Sequence, residues 1–285
     1  MFNKLKLSMQ IGIGYAAVLL LLLIVSITAY LGLSGAVGGF SDYRQLARDA
    51  NLAGRVQANM LMVELEANRF LTLQTEENVD VFNERFDLVQ ELSAEATREI
   101  NDPERARMVE LVVQELGNYE KAFDTVVRTV NKRNELLNEV LVIHGLKMRQ
   151  IMSDVIERSQ QSGNAAAVYQ AGRAQEALML ARLSAVKFLS EDKRQDIEVA
   201  HRELDENVTA AIGRLENMVT DGSQLSALRE YRVSLEAYAK ALDQMDEATQ
   251  SRNTALGEMR RIGPIISQTT EDLKLSVIED QNQLG

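Results

Sequence analysis

Apolar residues run without a charge from Ile11 to Leu33, about 23 positions of mostly Leu, Ile, Val, Ala and Gly. At ~1.5 Å per residue, a helix of that length crosses a ~30 Å hydrocarbon core, so the pattern predicts one transmembrane helix over 11–33. Lys4 and Lys6 precede the run, while Asp42 and Asp49 stand among Arg44 and Arg48 after it. The positive-inside bias then predicts a cytoplasmic tail over 1–10 and a chain that lies outside the membrane after about residue 35. A cleaved signal peptide has a shorter apolar core of ~7–15 residues, which favours an uncleaved anchor.

Beyond the anchor the pattern changes to spacings of three and four. One apolar stripe occupies positions 109, 112, 116, 119, 123, 126, 130, 133, 137, 140 and 144, and a second runs from 228 to 277 with the same spacing. Such stripes predict long helices packed in a bundle seam. Polar turns near Thr75–Asn78, Asn101–Pro103, Ser162–Asn164, Ser190–Lys193 and Asp221–Ser223 divide the chain into six helices after the span.

The chain also repeats itself. Gly54 to Leu71, with Arg69-Phe70-Leu71 at its end, is matched 118 residues on by Gly172 to Leu189, ending in Lys187-Phe188-Leu189. Tyr119 to Asp124 and Arg133-Asn134 are matched 119 residues on by Tyr238 to Asp243 and Arg252-Asn253. Two copies of a three-helix unit follow from this. The predicted fold is all-α: an N-terminal transmembrane helix, then six helices forming two stacked four-helix bundles over 36–283. Helix 3 climbs ~85 Å at 1.5 Å per residue and helix 6 returns to the membrane. The proximal module is expected at about 40–130 plus 250–283 and the distal module at about 131–249.

Composition narrows the chemistry. A net charge of −11 from 31 basic and 42 acidic residues argues against binding a phosphate backbone. The absence of cysteine removes disulfides, thiolate metal sites and a cysteine nucleophile, and two histidines leave little for a metal. There is no Walker loop, no Gly-rich turn after a strand, no paired histidine motif and no Ser/His/Asp set on a plausible scaffold. A non-enzyme without metal or cofactor is expected.

Arg133 and Arg252 stand at seam positions, where a buried guanidinium needs a carboxylate or a bound anion. Matching heights along the helices gathers a proximal candidate set of Asn68, Arg69, Arg85, Tyr119, Arg252 and Asn253. The distal counterpart is Arg133, Asn134, Lys187, His201 and Tyr238, with Arg182 within reach. Arginine's planar fork suits a carboxylate, so a small organic acid is the expected ligand. The competing reading pairs each arginine with a nearby glutamate, Arg69 with Glu66 for example, and leaves it a purely structural role. His144 and His201 fall on seams as core histidines, and Gly263-Pro264 predicts a kink in helix 6.

The signal anchor, the duplicated units, the Arg69-Phe70-Leu71 and Lys187-Phe188-Leu189 repeats and the long returning helix resemble the helical bimodular sensor domain of bacterial chemoreceptors and sensor kinases. The resemblance covers about residues 40–283. It implies an inner-membrane protein whose periplasmic domain senses small metabolites, organic acids in either module, or a periplasmic binding protein. It also implies a homodimer, and a second transmembrane helix, HAMP domain and methyl-accepting or kinase region after residue 285, leaving chemotaxis and kinase output both open. The expected signal is a displacement of helix 6 by ~1–2 Å.

Overall fold

The computed structural model describes residues 7–284, which are helical apart from short connections, with no strand among them. Lys4, Lys6 and most of the predicted cytoplasmic tail lie outside the described residues. The predicted span and helix 1 are one unbroken helix, α1 (Leu7–Leu73). Its residues 11–33 are exposed throughout, and it is long and apolar enough to cross a membrane.

Each connection has a local chemical cause. α1 ends at Gln74, whose backbone is left-handed with φ 53°, and the Gln74 N–H donates to the Phe70 carbonyl at 2.8 Å. The Thr75 hydroxyl caps α2 (Glu76–Glu99) by accepting from the Asn78 N–H, and Glu76 and Glu77 suit the positive end of the helix. Asp102 accepts from the N–H groups of Glu104 and Arg105, both at 3.0 Å, just before Pro103 opens α3 (Pro103–Glu135).

A π-helical turn, Leu136–Leu141, joins α3 to α4 (Val142–Gln161) without a break. Asn164 caps α5 (Ala165–Glu191), which ends on left-handed Asp192 with φ 55°. α6 (Arg194–Arg202) passes through a second π turn, Glu203–Val208, into α7 (Thr209–Glu216). The carboxylate of Asp221 caps α8 (Gly222–Leu284), which continues through Pro264. The breaks fall at the five predicted turns, so the observed rods are α1, α2, α3–α4, α5, α6–α7 and α8.

The duplication extends to backbone conformation. Gln74 and Asp192 are equivalent positions, both are left-handed, and both donate their N–H at 2.8 Å to equivalent phenylalanines, Phe70 and Phe188.

The residues divide into two compact units, 1–117 with 263–285, and 118–262. In the first, segments of α1, α2, α3 and α8 meet around a cavity of about 20 Å³ lined by Val56, Ala96, Val112 and Leu273 among others. The face of α2 follows the three/four spacing, burying Phe82, Phe86, Val89, Leu92 and Ala96, with Phe82 and Phe86 stacked at 5.6 Å. Arg105 is buried, held by Ser276 and by an ion pair to Asp280 on α8. In the second unit one core joins α4, α5, α6, α7 and α8, with Tyr231, Met148, Met152 and Leu204 fully buried. α5 enters it through Ala167, Ala171, Ala174, Ala181 and Ala185, small side chains that let neighbouring helices approach closely.

One expected seam shifts. The stripe holds through Arg133, but after the π turn the buried positions are Leu141, Gly145, Met148 and Met152, while Val140 and His144 are only half-buried. A π turn takes up an extra residue, so every later side chain rotates by one position. Gly145 faces inward where His144 was expected. The α8 stripe keeps its predicted phase to Val277, with Arg252 and Leu256 half-buried.

Candidate ligand site

The two seam arginines are satisfied from within. Asp192, held in the left-handed cap of α5, accepts from Arg133 Nη2 at 3.3 Å through Oδ1 and pairs with Arg252 Nη2 through Oδ2. Arg133 also donates to the Leu189 carbonyl at 3.1 Å, and Arg252 to the Asn253 side chain at 2.9 Å. Aspartate tolerates this backbone region better than most residues, which lets the cap serve as a counter-ion for two helices at once. Burial lowers the proton affinity of Arg133 and Asp192 opposes that. Burial likewise raises the Asp192 carboxyl against the pull of Arg133, and the Arg252 contact adds a second opposing charge.

The proximal candidates do not supply a free cationic cradle. Asn68, Arg69 and Arg85 belong to the first unit and are exposed, while Tyr119, Arg252 and Asn253 belong to the second. Arg69 donates to Glu66 at 2.8 Å, one helical turn away, so the structural pairing prevails there. Asn68 donates to the Glu64 carbonyl of its own helix, and Tyr119 is buried.

Among the distal candidates, Lys187 is exposed, Asn134 half-buried, and His201 Nε2 lies 3.2 Å from Asp243. Arg182 differs. It is half-buried on α5 and, among the described residues, makes neither ion pair nor hydrogen bond. It lines a cleft of about 60 Å³ with Tyr238, Leu137, Leu141, Val142 and Leu189.

Gly145 packs behind Arg182 and Tyr238. A Cβ there would sit 3.1 Å from Arg182 Nε and 3.4 Å from the Tyr238 ring, so the glycine makes room for both. Burial pushes the Tyr238 phenol up to about 12, with Arg182 opposing, which keeps the hydroxyl protonated and able to donate at neutral pH. The site therefore offers a fixed positive charge and a neutral O–H donor beside apolar walls, the complement of a small carboxylate. The inward position of Gly145 depends on the π turn, which sequence periodicity could not reveal.

The first unit holds two wider clefts. One of about 440 Å³ between α2 and α3 is lined mainly by small and apolar side chains, including Ser93, Ala94, Val113 and Gly117. The other, about 330 Å³, lies between α1 and α2 and is polar. Against known proteins, no protein-family model matches the chain and no curated protein sequence matches it.

Proposed function

We propose that this chain is the extracytoplasmic sensing region of a bacterial chemoreceptor, with the sensor of a histidine kinase as the other form of output. In this reading α1 anchors it in the inner membrane, the two helical units are periplasmic bundle modules, and the protein is a non-catalytic homodimer. Arg182 carries the proposal, because a half-buried guanidinium without a counter-ion, beside a protonated Tyr238 and over Gly145, fits an anion that completes the site.

A cleft of about 60 Å³ has room for roughly four to six heavy atoms, at about 10–15 Å³ for each water-sized probe position. Acetate and propionate are the matching probes. The ligand shifts the receptor only through different affinities for two conformations. The link from α5 to α8 across the cleft supplies such a difference, and displacement of α8 is the proposed signal.

Calorimetry on the detergent-solubilised chain tests the assignment. Acetate should bind, and Arg182→Ala, or Gly145→Val, whose side chain would crowd Arg182 and Tyr238, should abolish binding while circular dichroism stays helical. Absence of binding across C2 to C4 acids would reject the carboxylate site. A further outcome, a ligand-loaded periplasmic binding protein docking on the unit, would replace direct sensing.

A further inference from the structure

The polar cleft between α1 and α2 contains a carboxylate that the reading above does not use. Asp49 is only 5% exposed, yet its environment completes one oxygen alone: Gln45 Nε2 donates to Oδ1 at 3.0 Å. Among the described residues no hydrogen bond reaches Oδ2, and Asp49 lines the 330 Å³ cleft. Gln45 also donates to the Glu99 carbonyl at 3.3 Å, fixing the side chain of Asp49 against the last turn of α2.

Glu95 and Glu99, near the carboxyl end of α2, line the cleft with Asp49, and the end of a helix carries partial negative charge. Of the arginines near Asp49, Arg48 is engaged by Glu99 at 3.3 Å, Arg105 is paired with Asp280 and Arg55 is exposed. A bare metal ion does not suit the geometry, since among the described residues no three carboxylates or histidines converge on one point. A cation with several N–H donors and a body large enough for the cleft does.

We propose that this cleft binds a small organic amine through its ammonium group, with Asp49 as the principal partner and Glu95 on the opposite wall. The site is independent of the Arg182 cleft in residues and in ligand charge. Burial holds the Asp49 carboxyl above the ordinary aspartate range, partly offset by Gln45 and Arg105, so a bound ammonium supplies the charge that burial withholds.

The test is calorimetry of ethanolamine and putrescine against the full chain in detergent, with tetramethylammonium and Mg²⁺ as controls. Saturable binding of the primary amines is expected, with tetramethylammonium and Mg²⁺ at least tenfold weaker. Asp49→Asn, which keeps the shape and can still accept from Gln45, should weaken amine binding at least tenfold; the milder Glu95→Gln should weaken it several-fold. Arg182→Ala should leave amine binding unchanged, separating this site from the carboxylate site. No saturable amine binding, or binding insensitive to both Asp49→Asn and Glu95→Gln, would overturn the assignment.

Discussion

Removing the Asp192 carboxylate is the sharpest perturbation of the second unit. The side chains of Arg133 and Arg252 are 10% and 12% exposed, against 32% for Asp192, so the two cations are far more desolvated than their shared anion. Breaking a fully buried pair costs about 3–5 kcal/mol, which the partial exposure of Asp192 reduces to about 2–3 kcal/mol. Alanine also lacks the short polar side chain that lets aspartate tolerate a left-handed backbone, adding about 1 kcal/mol. The sum, about 3–4 kcal/mol, corresponds to a fall in Tm of roughly 6–16 °C for a chain of this size.

Asp192→Asn separates the causes. The amide keeps one acceptor and suits the left-handed backbone, so the charge and one of the two acceptors are lost, at about 1–2 kcal/mol. Arg133→Met, which removes the buried cation together with its need, should be close to neutral. Urea titration in mild detergent, followed by circular dichroism, measures all three. An Asp192→Ala variant within about 0.5 kcal/mol of the parent chain would refute the view that this carboxylate holds two buried charges.

Three further outcomes are expected. Burial raises the Glu64 carboxyl above its ordinary 4.5, so the folded chain binds that proton more tightly than the unfolded one and the ionised form destabilises at neutral pH. Glu64→Gln should therefore raise Tm at pH 7.5, with the gain disappearing as pH falls through the folded value toward 4.5. Because a Cβ on Gly263 would overlap this carboxylate, Gly263→Ala should push it toward water and return its titration to the ordinary range. Leu61, Met62 and Leu65 on α1 and their repeat equivalents Met179, Leu180 and Leu183 on α5 are all exposed. With no native cysteine, Leu65→Cys and Leu183→Cys should each yield disulfide-linked dimers on mild oxidation, and exclusively monomeric products would remove the homodimer.

The helix boundaries were legible because their causes are local. Thr75, Asp102, Asn164 and Asp221 are capping side chains, and each acts within three residues of itself. The Glu66–Arg69 pair was legible for the same reason, being one turn apart on a single helix. The π turn at 136–141 was not, since an extra residue in a helix leaves no Gly or Pro to mark it. It displaced the expected inward position from His144 to Gly145, and so hid the glycine that makes room for Arg182 and Tyr238. Asp192 could be read as a turn residue, but that its carboxylate reaches two distant arginines depends on tertiary packing of α5 against its neighbours.

The unbroken course of α1 has a mechanical meaning. From Leu33 to Leu73 the helix extends about 60 Å at 1.5 Å per residue. With its lower end set in a bilayer, it is a lever arm: a change in tilt of about 5° moves the far end by about 5 Å. Bilayers of different thickness impose different tilts on an apolar span of fixed length. If the proposed sensing role holds, such a lever makes the protein sensitive to the membrane that carries it as well as to its solute, and its resting output should differ between thin and thick bilayers of otherwise identical chemistry.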